Sequence, residues 1–162
     1  MTHYNVLFLC TGNSARSIMA EGIMNAKGGP RFTAYSAGSH PSGKVRPEAL
    51  RQLEAAHIPT DGFRSKSWEE FSRPDAPQLD FVFTVCDNAA NEVCPIWPGQ
   101  PMTAHWGVPD PAAVMGTEEE IKRAHREAFF LLDRRITLFL MLPLASIDNL
   151  ALKTKLNDIG RQ

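Results

Sequence analysis

Residues 5–9 read NVLFL and run directly into residues 10–17, CTGNSARS. The first five are a nearly continuous apolar run, the pattern of a strand covered on both faces in a parallel sheet. Residues 18–26 (IMAEGIMNA) carry a helical pattern that ends at Lys27-Gly28-Gly29-Pro30. Outward from this core the alternation continues. Residues 32–37 (FTAYSA) read as a second strand, and residues 47–56 (PEALRQLEAA) as a helix with Pro47 at its first position and Leu50 and Leu53 on one face. Residues 80–85 (DFVFTV) read as a third strand with Cys86 at its end, and residues 102–106 as a fourth. Residues 117–142 are helical in pattern, with Thr117 or Gly116 as cap and Glu118, Glu119 and Glu120 complementing the first turn. Residues 146–159 read as the last helix. Alternating strands and helices imply βαβ units. The expected fold is α/β, one domain over residues 1–162, with a central four-stranded parallel sheet flanked by helices on both faces. Ligands bind beyond the carboxyl ends of such strands, where Cys10 and Cys86 both fall.

The loop after the first strand carries the chemistry. A strand-to-helix loop aims successive backbone N–H groups at one point, and the helix dipole adds to their field. Thr11, Gly12, Asn13, Ser14, Ala15, Arg16 and Ser17 are therefore the expected oxyanion cradle. Gly12 permits a tight turn, and Asn13 tolerates a left-handed backbone. Arg16 has the planar fork to grip two anion oxygens, and Ser17 a hydroxyl to donate to sulfur. The same positive field is expected to lower the Cys10 pKa and hold it as the nucleophilic thiolate. Ala15 is expected to serve only packing.

Composition narrows the remaining classes. The 162 residues (18.0 kDa) carry 17 Lys plus Arg against 18 Asp plus Glu, a net charge of −1, which argues against a polybasic nucleic-acid or membrane surface. The apolar residues 136–144 are too few for the ~20 needed to span a bilayer, and no signal-peptide pattern opens the chain. Three cysteines, Cys10, Cys86 and Cys94, cannot all pair within one chain, so a reducing compartment, the cytoplasm, is expected.

Residues 10–17 resemble the phosphate-binding loop of the low-molecular-weight protein tyrosine phosphatases and of the arsenate reductases built on that fold. Ser36-Ala37-Gly38 matches both branches. His105-Trp106-Gly107-Val108-Pro109-Asp110-Pro111 is similar to the reductase segment, and Ala112-Ala113 stand where the phosphatases have aromatic residues. The resemblance implies that Asp110 is the general acid, although an Asp before Pro is also an ordinary turn residue. It implies arsenate as substrate, with phosphate or sulfate as mimics. It further implies a relay in which Cys10 attacks As(V), Cys86 attacks Cys10 to release arsenite, and Cys94 moves the disulfide to Cys86–Cys94. No tightly bound cofactor is expected; thioredoxin or a glutaredoxin/glutathione system would supply the electrons.

Some features sit apart from that pattern. Seven residues separate Cys86 from Cys94, whereas thioredoxin-coupled relatives usually have six, which leaves the reductant open. Eight helical steps span about 12 Å, yet a disulfide needs Cα atoms within ~7 Å, so this segment must loop out on oxidation if it is helical when reduced. Some relatives bind potassium near the loop through an Asn, a Glu, a Ser and an Asp. Asn13, Glu21 and Ser36 match, but Trp68 replaces the Asp with Lys66 nearby, and no metal is expected. His3, His40, His57 and His125 read as surface or capping residues, and His105 as ordering the Asp110 loop. The rival readings are a phosphatase working through a Cys10 phosphoenzyme, and an anion- or redox-sensing interaction protein.

Overall fold

Every β-strand found runs parallel, and their order places Cys10 at the centre of the sheet's carboxyl edge. The computed structural model describes residues 2–86, 97 and 99–162. The strands are β1 (Tyr4–Cys10), β2 (Phe32–Gly38), β3 (Phe81–Thr84) and β4 (Met102–His105). They lie in the order β2-β1-β3-β4, in the expected four-stranded parallel α/β fold. Cys10 pairs with Gly38 of β2, and Leu9 with Thr84 of β3. The chain steps to opposite sides of β1, which is the switch point where such sheets open a crevice.

Side-chain alternation along β1 divides the core. Val6, Phe8 and Cys10 face a layer made by α1 (Arg16–Lys27), α2 (Pro47–Ala55), α3 (Glu118–Leu140) and α4 (Asn149–Ile159). Leu7 and Leu9 face the other way, against Leu79, Trp97 and a 3-10 turn, Trp68–Phe71. Phe139 of α3 is fully buried and meets the rings of Phe32, Phe81, Phe83 and Trp106 at centroid distances of 5.1 to 6.0 Å, edge-on to each. Edge-to-face contacts add to the area that an aromatic ring removes from water.

Helix starts follow the caps. Thr117 Oγ1 accepts from the Glu120 N–H, and three glutamates fill the first turn of α3. The last helix begins at Asn149 rather than at 146, because Asp148 caps the Ala151 N–H while Ser146 and Ile147 turn back onto the Pro143 carbonyl. His125 departs from its expected surface place. It is fully buried on the inward face of α3, with Nδ1 2.8 Å from the Ile121 carbonyl. No helix among the described residues is long and apolar enough to cross a membrane.

Removing the Phe139 ring leaves a cavity among four other rings. Phe139→Ala is expected to cost about 3–5 kcal/mol in urea unfolding, with the slope of the transition unchanged.

Candidate active site

The loop from Cys10 to α1 is held from outside by backbone groups of two neighbouring segments. The carbonyls of Thr11, Gly12 and Ser14 accept from the N–H groups of His40 (2.9 Å), Ser42 (3.0 Å) and Arg46 (2.9 Å). The Gly12 carbonyl also accepts from Ser65 Oγ at 3.0 Å. Because a trans peptide sets N–H opposite C=O, carbonyls pinned outward turn the following N–H groups inward. The Asn13 N–H shows this directly, donating to Cys10 Sγ at 3.2 Å. Asn13 makes the bend in the left-handed region, at φ +47°. Ala15, buried as expected for a packing residue, sits at the N-cap of α1 with no side-chain cap, so the first turn stays open to an anion. Gly38 lies against this loop. A Cβ there would stand 2.5 Å from the Thr11 carbonyl oxygen and 3.0 Å from the Cys10 carbonyl oxygen.

Two thiols meet behind the cradle. Ser17 Oγ accepts from the Asn13 side-chain amide at 2.8 Å, which frees its own proton for Cys10 Sγ at 3.1 Å. Cys86 Sγ accepts from the Thr11 N–H at 3.1 Å and lies beside Cys10, both cysteines being buried. This neighbour alters the expected titration. The Cys86 thiol and burial push the Cys10 pKa well up, against the opposing pull of Ser17 and Arg16. The loop's field was legible in the sequence, and the resemblance implied Cys86 near Cys10; that its thiol raises the Cys10 pKa was not legible. Cys94 lies outside the described residues.

Arg16 and Asp110 join the opposite sides of the crevice. Arg16 Nη1 donates to the Val108 carbonyl at 3.0 Å, and Nη2 stands 3.5 Å from Asp110 Oδ2. The other Asp110 oxygen accepts from the Ala112 N–H at 2.9 Å. Asp110 thus caps a turn and faces the anion loop, and its side chain is 41% exposed. His105 Nδ1 lies 2.8 Å from Thr84 Oγ1, tying β4 to β3.

Lys66 occupies the place considered for a cation. Its Nζ donates to the carbonyls of Ser36 (2.8 Å) and Arg64 (2.9 Å) and stands 3.9 Å from Glu21 Oε1. Its backbone N–H takes Asn13 Oδ1 at 2.9 Å, and Ser36 Oγ donates to Glu21 at 2.6 Å. Burial raises the Glu21 pKa and lowers that of Lys66. The Asn, Glu and Ser oxygens that would hold potassium are engaged by one lysine and its backbone, so these residues do not fit a further cation.

Two outcomes follow from this geometry. In Cys86→Ala the pH profile of Cys10 alkylation by iodoacetamide should move to lower pH, with faster labelling near neutrality, because the group that raises its pKa is gone. Gly38→Ala should weaken inorganic phosphate binding about tenfold or more by titration calorimetry, since the added carbon meets the loop's backbone rather than a movable side chain.

Known proteins are similar to this chain in sequence and fold. The family described as low molecular weight phosphotyrosine protein phosphatase matches residues 5–149. An arsenate reductase of Bacillus licheniformis is 39% identical over 121 residues, 74% of this chain and 83% of its own length. A solved arsenate reductase in its oxidised state superposes with a TM-score of 0.68 at 26% identity, covering 84% of this chain and 95% of the other. A thioredoxin-dependent arsenate reductase of Corynebacterium glutamicum shares the fold with a TM-score of 0.56 at 22% identity, over 85% of this chain and 64% of that one. With a family match across most of its length, the chain belongs to the low molecular weight phosphotyrosine protein phosphatase family.

Proposed function

We propose that this protein is an arsenate reductase that works through a Cys10, Cys86 and Cys94 relay. The observation that carries the reading is the second thiol. Cys86 Sγ rests on the Thr11 N–H of the anion loop, beside Cys10. Hydrolysis of a phosphate ester needs one thiolate, whereas reduction of As(V) needs two electrons, which a thiol pair supplies by becoming a disulfide. The arsenate reductases among its relatives support the same conclusion.

The steps balance as follows. Arsenate binds in the cradle against Arg16, which neutralises its charge and aligns As(V) with Cys10 Sγ. The Cys10 thiolate forms an S–As bond as one arsenate oxygen departs as water, with Asp110 delivering a proton. The Cys86 thiolate then attacks Cys10 Sγ. The S–As electron pair passes to arsenic, arsenite leaves as As(III), and a Cys10–Cys86 disulfide remains. Cys94 attacks Cys86 Sγ, frees Cys10 and carries the disulfide to Cys86–Cys94, where an external dithiol reduces it. Thioredoxin is the reductant proposed first, with glutaredoxin and glutathione second. All three thiols must start reduced, which suits the cytoplasm.

The test is arsenate-dependent NADPH oxidation with thioredoxin and thioredoxin reductase. Wild type should turn over repeatedly. Cys86→Ser should abolish turnover, and Cys94→Ser should allow at most one event per molecule. If Cys86→Ser instead hydrolyses aryl phosphates as well as wild type, and wild type ignores arsenate with either reductant system, the protein is a phosphatase.

A further inference from the structure

Arg135 is a cation in the core whose partners are main-chain oxygens. Its residue is 4% exposed, and burial lowers its pKa. A buried guanidinium is costly unless its donors find acceptors. Here both terminal nitrogens do so on main-chain oxygens, while the buried Nε has no partner among the described residues. Nη1 donates to the carbonyls of Trp106 and Gly107, both at 2.8 Å, and Nη2 to that of Gln162 at 3.2 Å.

Those first two carbonyls stand where β4 hands over to the loop that carries Asp110. The Trp106 ring is fixed independently, stacked on Phe83 at 3.8 Å with its indole N–H on the Leu156 carbonyl. The next carbonyl, that of Val108, is the one Arg16 holds from the anion loop. Three consecutive carbonyls are therefore clamped by two arginines, one from the core and one from the site. Beyond Val108 the loop borders a cavity of about 290 Å³ lined by Pro109, Asp110, Pro111 and Val114 together with Ala124 and Leu131 of α3, with Pro111 itself buried. The position of Asp110 then depends on the clamp behind it together with the buried Pro111 beside it.

We propose that Arg135 is a positioning residue for the reaction, holding Asp110 over the Cys10 loop through the Trp106 and Gly107 carbonyls. This rests on Asp110 as proton donor in the function proposed above. Arg135 touches neither substrate nor sulfur. What it controls is whether the Asp110 carboxyl reaches the departing oxygen, and a displacement of about 1 Å at such a group costs on the order of a hundredfold in rate.

A double-mutant cycle tests this. Arg135→Met keeps bulk while removing the donors, Arg135→Lys keeps a donor, and Asp110→Asn removes the proton. Each is assayed for arsenate reduction with its reductant system and for phosphate binding by calorimetry. We expect Arg135→Met to lower kcat about tenfold to a hundredfold, with phosphate affinity and the arsenate KM within about twofold of wild type. Arg135→Lys should recover part of the loss. In the Asp110→Asn background, Arg135→Met should cost almost nothing more, because both changes remove one proton transfer. Multiplied losses in the double variant, or a loss in phosphate affinity equal to the loss in kcat, would overturn the proposal. So would failure of both Arg135 variants to fold, which would make the residue a folding element. Wild type inactive towards arsenate would instead mark failure of the functional reading, and the same cycle on phenyl phosphate would then judge Arg135.

Discussion

A loop that offers its N–H groups to an anion must dispose of its carbonyls somewhere else. That constraint organises this molecule. The Thr11, Gly12 and Ser14 carbonyls are taken by His40, Ser42 and Arg46, all on the segment that leaves β2. The segment can run there because β2 lies beside β1 in parallel register and Gly38 lets the two strand ends approach. Buried backbone groups are expensive to leave unpaired, so satisfying the outer half of the loop is what makes its inner half available. Asn13 then links the backbone at Lys66 to the hydroxyl that serves Cys10. Sheet order, strand register and sulfur chemistry are thus one connected arrangement.

Two charges of like sign bound the crevice from different depths. Arg16 sits at its wall, and Arg135 lies behind it in the core. The first can exchange partners when an anion arrives, since it faces a half-exposed carboxylate. The second is bonded to main-chain oxygens and is 4% exposed. A site that must both bind and react gains from this division: one guanidinium adapts to the substrate while the other keeps the frame from following it.

Much of this was legible in the sequence, and what was not has a physical reason. The apolar run at residues 5–9 announced a buried strand, and the Cys10 to Arg16 spacing announced an anion loop, because side-chain type carries those signals. The support from residues 39–46 was invisible, since it is made by backbone N–H groups that every residue but proline possesses. His125 was misplaced because a histidine in a helical pattern reads as polar until the inward face is known. Arg135 left a trace: it shares the buried face of α3 with Leu132, Ile136 and Phe139, a charge in an apolar stripe. The Cys10 titration depends on the distance to a sulfur 76 residues away in sequence, which strand order and resemblance bring near without fixing the contact that raises its pKa.

The contact between Arg16 and Asp110 has a further consequence. The Arg16 guanidinium faces a carboxylate of the protein's own, which stands 3.5 Å away. An oxyanion that takes Arg16 must therefore compete with a negative partner tethered beside it. A singly charged, spherical ion gains little by displacing a tethered carboxylate. A doubly charged tetrahedral oxyanion gains both the fork and the N–H groups beneath it. A tethered carboxylate thus raises the charge and the shape that a competing anion must bring to the loop.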